Sequence, residues 1–272
     1  DRPIGALLSG GLDSSLICGI ISSLYDKKNK QNFNTFAIGI EGATDLEYSQ
    51  KVADFIGSKH HQIVCSEKDF IDVIPEVIYY TESYDITTIR ASVGNYLVGK
   101  YIKENTDIVV VFNGDGSDEQ SGYYYLRNAP SQEEFNNECK KLLREIHYFD
   151  GLRSDRSISS KWSLEARTPF LDKEFVNFYM TIDPKLKMYN SKLIEKYILR
   201  KSFEDMNIIP KETLWRPKEA FSDGCSSVKR SWHKIIEEHV DIIISDDEFI
   251  KNKDKYTFNT PKTKESYWYR KI

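Results

Sequence analysis

Apolar and polar positions up to residue 125 follow the pattern of parallel strands joined by helices. Short apolar runs predict strands, and the amphipathic stretches between them predict helices. The expected strands are residues 4–8, 33–39, 62–65 and 108–112, and the expected helices are residues 16–24, 45–56, 70–80 and 91–103. The run at 108–112 is almost continuously β-branched, which is typical of a central strand buried on both faces. The pattern therefore predicts a doubly wound α/β fold.

After residue 125 the alternation stops and helical patterns dominate. Ser131 and Glu134 have the spacing of a capping box for a helix over residues 131–148. Further helices are expected at residues 150–160, 174–181, 192–204 and 228–244, and the polar tail after Ser245 is expected to be irregular. We therefore expect one domain over residues 1–272, with a sheet core at about 1–125 and a helical part at about 126–245.

Composition narrows the classes of function. The 272 residues are 40% hydrophobic and 29% charged, which is normal for a globular domain. A formal net charge of −4 provides no basic excess for general nucleic-acid binding, so we expect no nucleic-acid partner. No apolar run approaches the roughly 20 residues of a membrane span. The four cysteines have no C-x-x-C spacing, which favours unpaired thiols in a cytoplasmic protein over zinc ligands or disulfides.

The segment LSGGLDSS at residues 8–15 joins the first predicted strand to the first predicted helix. Gly10 and Gly11 carry no Cβ, so backbone can approach a ligand closely there. Serine hydroxyls and the helix N-terminus would favour an anion such as phosphate. The segment lacks the lysine of a Walker A loop and does not fit G-x-G-x-x-G. Ser-Gly-Gly alone would be equally typical of an ordinary turn.

Acidic residues stand beside this predicted phosphate site. A carboxylate such as Asp13 would repel phosphate unless a divalent cation lay between them. Asp115 and Asp118 follow the predicted strand at 108–112, at the edge of a parallel sheet where ligands bind. The segment 113–119 could also be a solvated turn, but we favour a site for a metal ion or a positively charged substrate group, in which Asp13 and Asp118 could hold magnesium.

Two features of the second half bear on chemistry. Glu165 and Arg167 flank a predicted turn, and a structural salt bridge is the simplest expectation for them. Lys218 lies between Pro217 and an aromatic segment, which makes it a better candidate than most lysines for contact with a reacting phosphate. A mobile point charge of this kind suits a leaving pyrophosphate.

The loop at residues 8–15 resembles the S-G-G-x-D-S loop of the ATP pyrophosphatase (N-type, PP-loop) superfamily, which has an adenine nucleotide alpha-hydrolase-like fold. More widely, the chain resembles the synthetase domain of glutamine-hydrolysing asparagine synthetases from Ile4 to about Tyr269. The segments that carry the resemblance are LLSGGLDSS, TFAIG, YDITTIRAS, NGDGSDE, LEARTPFLD, EKYILR, LWRPKEAFSDG and FNTPKTKESYWYR.

The resemblance implies roles for individual residues. It places ATP against Leu8, Ser9, Gly10, Gly11, Asp13, Ser14, Ser15, Ile38, Asn113 and Gly114. It assigns Mg²⁺ and pyrophosphate to Asp13 and Asp118. It gives catalytic roles to Asp115, Lys218, Lys196 and Arg90, and links the handling of aspartate or the intermediate to Asp45, Thr87, Thr88, Asp118 and Asp150. Asp115 stands where relatives often have Glu, and Asn113 where they more often have Ser.

The implied reaction converts L-aspartate to L-asparagine through β-aspartyl-AMP, using ATP and ammonia. The expected substrates are therefore small molecules, and a homodimer is left open. A glutaminase domain that supplies ammonia is expected in the full-length parent, whereas this chain, which starts at Asp1, is read as an isolated synthetase domain. Two alternatives stay open: a related ligase such as a β-lactam synthetase, in which an internal amine replaces ammonia, and a non-catalytic remnant that binds nucleotide.

Overall fold

The computed structural model describes residues 2–25, 32–148, 153, 156–189, 193–218, 224–226 and 230–272. Within these residues, five parallel strands form one sheet in the order β3-β2-β1-β4-β5. The strands are β1 (Ile4–Leu7), β2 (Asn34–Ile40), β3 (Lys59–Cys65), β4 (Val110–Phe112) and β5 (Glu165–Arg167).

Helices connect and cover the strands. In the first half they are α1 (Leu12–Leu24), α2 (Thr44–Ile56), α3 (Glu67–Asp72), α4 (Ile74–Thr81), α5 (Ile86–Asn105) and α6 (Ser117–Ser121). In the second half they are α7 (Gln132–Glu145), α8 (Lys173–Thr181), α9 (Pro184–Lys187), α10 (Tyr197–Phe203), α11 (Lys211–Leu214), α12 (Trp232–Ile243), α13 (Asp246–Asn252) and α14 (Lys264–Lys271). None of the described helices is long and apolar enough to cross a bilayer.

The order of the strands creates a crevice beside β1. Gly5 of this strand pairs with Asn34 of β2 on one side and with Val111 of β4 on the other. The chain runs outward from β1 to β3, and α5 then returns it to β4 on the opposite side of β1. The carboxyl ends of β1 and β4 therefore flank the point where the strand order reverses, which is where open α/β sheets bind ligands.

Hydrophobic residues cover both faces of the sheet. One core contains Phe36 and Ile38 of β2 together with residues of α4, α5 and α12. The other contains Ala6 and Leu8 beside β1, together with residues of α1 and α2. Because apolar area on both faces is removed from water, the sheet lies in the middle of the domain. The predicted doubly wound α/β class is confirmed.

The structure corrects three element predictions. The helix expected from residue 45 begins at Thr44 with Ala43 as its N-cap, and the carboxylate of Asp45 is buried and paired with Arg216. The tail after Ser245 is not irregular: Ser245 caps α13, and Thr263 with Ser266 forms the capping box of α14. The sheet also contains β5, which lies outside the expected sheet core at 1–125. Its three residues, with charged residues at both ends, did not predict a strand.

Several helix boundaries also differ. The expected helix at 70–80 is two helices, with Ser66 capping α3. The one at 91–103 begins earlier, at Ile86, because the Asp85 carboxylate accepts from the Thr88 amide at 2.7 Å. The helices expected from residues 192 and 228 begin at Tyr197 and Trp232. Residues 149–152, 154–155, 190–192 and 227–229, on which parts of these predictions fall, lie outside the described residues.

Candidate active site

The loop after β1 is fixed in a conformation that requires glycine. Gly10 has a φ of +75°, and a Cβ there would lie 2.5 Å from the backbone of Tyr48 and Ser49 in α2. The Ser9 and Ser14 hydroxyls lie 3.0 Å apart, and the Gly11 amide donates to Ser9 Oγ at 3.3 Å. Gly11 is the N-cap of α1 and has no side chain to cap the first amides of that helix. An anion could accept hydrogen bonds from them.

The loop after β4 packs directly against this first loop. A Cβ on Gly114 would lie 2.7 Å from the Ser14 amide nitrogen, so only glycine permits the approach. The Asn113 amide donates to the Arg167 carbonyl of β5 at 2.9 Å, and Asn113 Oδ1 accepts from the Asp115 amide at 3.2 Å. The two loops predicted from sequence to form one site therefore meet in the crevice between β1 and β4.

A buried lysine joins the two predicted magnesium ligands. Lys196 Nζ lies 2.5 Å from Asp13 Oδ2 and 2.6 Å from Asp118 Oδ1, and its side chain is only 2% exposed. Lys218 Nζ forms an ion pair with the other oxygen of Asp118. A Cβ at Gly122 would collide with Lys196 and Asp118, so this glycine makes room for the pair. We call Asp13, Asp118, Lys196 and Lys218 the charge cluster.

The ionisation of the charge cluster follows from these contacts. Burial raises the pKa of Asp118, but the ammonium groups of Lys196 and Lys218 outweigh it and hold that pKa below its usual range. Burial lowers the pKa of Lys196, but Asp118 and Asp13 outweigh it and raise that pKa above its usual range. Both groups therefore stay charged across the neutral pH range.

A second buried ion pair contacts the glycine loop. Arg216 Nη1 donates to the Gly10 carbonyl at 3.1 Å, and Arg216 Nη2 lies 3.3 Å from Asp45 Oδ1. The guanidinium stacks over the Tyr48 ring, 3.9 Å from its centroid. The side chains of Arg216 and Asp45 are each only 7% exposed. The sequence singled out Asp45 but gave no role to Arg216.

Three predicted site residues, Thr87, Thr88 and Arg90, lie in the first turns of α5. Thr87 is exposed, whereas Thr88 is buried and its Oγ1 has no hydrogen-bond partner among the described residues. Arg90 donates from Nε to Glu265 Oε1 of α14 at 2.8 Å, and its Nη2 lies 2.6 Å from His233 Nδ1. The described contacts of Arg90 are thus with the C-terminal part of the chain and not with the charge cluster.

The remaining predicted residues lie in three settings. Asp115 is 3.5 Å from Arg153 Nη2 across a salt bridge. The side chains of Leu8, Ser15 and Ile38 are buried inside the domain, so any contact of these three with a ligand would be made largely through backbone. Asp150 lies outside the described residues.

Comparison with known proteins decides the family. The family model described as asparagine synthase matches residues 1–138 and 124–272. The chain belongs to the asparagine synthase family. It is 50% identical over 274 residues to the asparagine synthetase [glutamine-hydrolyzing] of Homo sapiens, and 50% over 273 residues to that of Gallus gallus. Both alignments cover 100% of this chain and 48% of the relative, so the chain spans about half the length of these curated relatives.

Among solved structures, one match is a predicted subunit of tRNA methyltransferase from Methanocaldococcus jannaschii. The sequence identity is 16% and the TM-score is 0.35, and the match covers 66% of this chain and 75% of the other.

One carboxylate of the charge cluster has an oxygen that could bind a magnesium ion. Asp13 Oδ1 is buried and makes no hydrogen bond to any described residue, which leaves a hard oxygen ligand available. No group of three or more His, Cys, Asp or Glu side chains within the described ranges could hold a metal. One or two carboxylates completed by phosphate oxygens is the usual arrangement for Mg²⁺ at nucleotide sites.

Sequence reasoning missed two functional candidates of this family member. Arg216 stands two residues before Lys218 in the sequence. This closeness to a predicted catalytic lysine and to Pro217 was the one sequence feature that could have indicated a role for it. Glu265 is buried and joins Arg90 to α14, and it also accepts from the Tyr269 hydroxyl at 2.9 Å. The residues around Glu265 gave no sign of this role, because its main partner, Arg90, lies 175 residues away in the sequence.

Proposed function

We propose that this chain is the synthetase half of a glutamine-dependent asparagine synthetase. It would activate L-aspartate with ATP to give β-aspartyl-AMP and pyrophosphate, and ammonia would then convert the intermediate to L-asparagine and AMP. The observation that carries this proposal is the charge cluster, which lies beside the glycine loop at the crevice between β1 and β4. Membership of the asparagine synthase family supports the choice of substrates.

The chain's own groups are suited to holding the leaving pyrophosphate. The amides at the start of α1 would face the phosphates, together with the hydroxyls of Ser9 and Ser14. Lys196 and Lys218 would neutralise negative charge that grows on the departing group, which is the largest contribution in such chemistry. Asp13 and Asp118 would hold Mg²⁺, which would supply further positive charge at the phosphate oxygens.

The first step forms one bond and breaks another at the α-phosphorus. An oxygen of the aspartate β-carboxylate attacks, and the bond to the pyrophosphate oxygen breaks. In the second step the ammonia nitrogen bonds to the acyl carbon, AMP leaves with its oxygen, and the nitrogen loses a proton. Asp115 is our candidate to accept that proton, and its carboxylate lies 3.5 Å from Arg153 Nη2.

Aspartate would be held on the side of the crevice that faces α2 and α5. Asp45, Thr87, Thr88, Arg90 and Asp150 are the residues that we propose for this task. A carboxylate such as Asp45 suits the substrate ammonium group, and a guanidinium such as Arg90 suits a substrate carboxylate. The unpartnered buried hydroxyl of Thr88 supports a polar ligand near the start of α5.

The proposal extends to the protein from which this half comes. A glutaminase domain would supply ammonia from glutamine, the partners would be small molecules, and the reaction would take place in the cytoplasm. A homodimer is compatible with the proposal. No observation among the described residues favours a β-lactam-forming ligase or a non-catalytic remnant.

Pyrophosphate release tests the proposal. The chain is incubated with ATP, Mg²⁺ and ammonium chloride, with or without L-aspartate, and both pyrophosphate and asparagine are measured. We expect pyrophosphate to depend on aspartate and to match asparagine in amount. Lys218→Ala and Asp13→Ala should abolish both signals. Aspartate-independent pyrophosphate, or wild-type rates in both variants, would contradict the proposal.

A further inference from the structure

Arg216 is a buried cation at the glycine loop that the proposed chemistry has not used. Its side chain is 7% exposed and stacks over the Tyr48 ring. A guanidinium in that position is costly to bury unless its donors are satisfied. Two of its nitrogens have acceptors on different elements, the Gly10 carbonyl of the glycine loop and the Asp45 carboxylate of α2.

The guanidinium of Arg216 connects three parts of the site. Gly10 packs closely against Tyr48 and Ser49, and Arg216 contacts both the Gly10 carbonyl and the Tyr48 ring. Asp45 packs against Gly224, where a Cβ would collide with its carboxylate. The glycine loop, the first turn of α2 and the segment that carries Lys218 are thus connected through Arg216.

The two cations of this segment face different acceptors. Arg216 contacts the Gly10 carbonyl, and Lys218, two residues later, pairs with Asp118. Pro217 between them restricts the backbone of this segment. Holding Arg216 in place therefore also holds the segment from which Lys218 reaches the charge cluster.

We propose that Arg216 is a positioning residue that holds the phosphate loop and Asp45 in a fixed relation, so that the nucleotide and aspartate ends of the site are aligned. This proposal rests on the proposed function. A misplacement of about 1 Å in such an arrangement can lower a rate by about a hundredfold. A lysine cannot replace Arg216 fully. Its ammonium is not planar, so it cannot stack on the Tyr48 ring while it donates to the Gly10 carbonyl and the Asp45 carboxylate.

The first experiment does not depend on enzymatic activity of the chain. Amide hydrogen exchange is compared between the wild type and Arg216→Lys in the absence of ligand. We expect exchange in the peptides that cover residues 8–16 and 43–49 to be at least about tenfold faster in the variant, with little change elsewhere. Arg230→Lys is the matched control, because Arg230 also bridges two acidic residues, Glu67 and Glu238. Unchanged protection of both peptides in Arg216→Lys would overturn the proposal.

The second experiment uses steady-state kinetics of aspartate-dependent pyrophosphate release. We expect Arg216→Lys to lower kcat by about tenfold or more while the Kd for ATP changes by less than about threefold. Tyr48→Leu removes the ring beneath the guanidinium and should lower kcat in the same direction, which keeps the test open if Arg216→Lys folds poorly. Wild-type kcat in both variants, or a loss that equals the loss of folded protein, would overturn the proposal.

The two proposals fail in different ways. If wild-type protein releases no aspartate-dependent pyrophosphate, the proposed function fails, while the hydrogen-exchange result still decides whether Arg216 holds the loop and Asp45 together. If the wild type is active and the exchange pattern is unchanged by Arg216→Lys, the positioning role fails and the proposed function stands.

Discussion

At the scale of single residues, Lys196 makes two neighbouring carboxylates compatible. Its ammonium lies between Asp13 and Asp118, and it is almost completely buried. Without it, Lys218 would be the one lysine among the described residues in contact with Asp118, and no described lysine would contact Asp13. The position of Lys196 at the start of α10, with a φ of +56°, is a strained backbone conformation that these contacts stabilise.

Removal of the Lys196 charge should destabilise the protein. Lys196→Met leaves two carboxylates without their main partner, and we expect the free energy of unfolding to fall by about 1–3 kcal/mol. Urea unfolding measures this value. Lys201→Met, which removes an exposed lysine paired with Glu204, is the control and should have a much smaller effect, because solvent screens an exposed ion pair. Equal effects of both substitutions would contradict the structure.

The lowered pKa of Asp118 gives stability a defined pH dependence. A carboxyl group whose folded-state pKa is lowered contributes stability that is fully present above its unfolded pKa of about 3.9 and is lost as pH falls through the folded value. The stability difference between the wild type and Asp118→Asn should therefore be constant from about pH 5 to 7 and shrink below about pH 4. Urea unfolding of both proteins over this range tests it, and a constant difference down to the lowest pH at which both are folded would contradict it.

Gly10 and Gly11 should differ in their tolerance of a side chain. Gly10→Ala places a Cβ 2.5 Å from the backbone of Tyr48 and Ser49 at a φ of +75°, and we expect a loss of about 1–3 kcal/mol. Gly11→Ala is the matched control, because its φ is −74° and its Cβ would lie 3.3 Å from Ser9 Oγ. Thermal unfolding of both variants checks the contrast, which would be refuted if Gly11→Ala were the more harmful.

At the scale of elements, the C-terminal helix α14 supports the start of α5. Glu265 of α14 is buried and bonds to Arg90, which follows Thr87 and Thr88 in the first turns of α5. The Trp232 indole of α12 donates to the Arg90 carbonyl at 3.2 Å and completes the contact. The proposed aspartate-binding residues therefore depend on a helix that the sequence alone did not predict.

Loss of Glu265 should uncouple these elements. Glu265→Ala leaves the Arg90 guanidinium with one partner fewer in a mostly buried position, and we expect about 2–4 kcal/mol less stability. Glu248→Ala removes a partner of Lys271 on helix α13, and its effect should be much smaller, because solvent screens this ion pair. Chemical denaturation of both variants decides the matter: comparable losses would show that the Arg90–Glu265 pair is not a main contact.

At the scale of the whole molecule, local signals predicted the framework and long-range contacts completed the site. The strand at 4–8, the glycine loop and the helix after it were predictable because their residues are adjacent in sequence. Asp13 meets Lys196 across 183 residues, and Gly10 meets Arg216 across 206 residues. Such pairings depend on how α10 and the segment around Pro217 pack on the sheet, which periodicity does not reveal.

The errors have the same physical origin. β5 has charged residues at both ends of a three-residue strand, and only pairing with β4 identifies it as part of the sheet. The predicted salt bridge between Glu165 and Arg167 is confirmed, although it lies on this strand and not on a turn. The tail was expected to be irregular because its polar composition hid two capped helices, one of which buries Tyr267 and Tyr269.

In the proposed reaction, the β-carboxylate of aspartate attacks the α-phosphorus of ATP. Transfer of an oxygen isotope tests this step most directly. L-aspartate labelled with ¹⁸O in its β-carboxylate is incubated with the chain, ATP, Mg²⁺ and ammonia, and the products are analysed by mass spectrometry. The proposed reaction predicts one ¹⁸O atom in AMP for each asparagine formed, and none in pyrophosphate. Label in inorganic phosphate with formation of ADP, or unlabelled AMP, would contradict it.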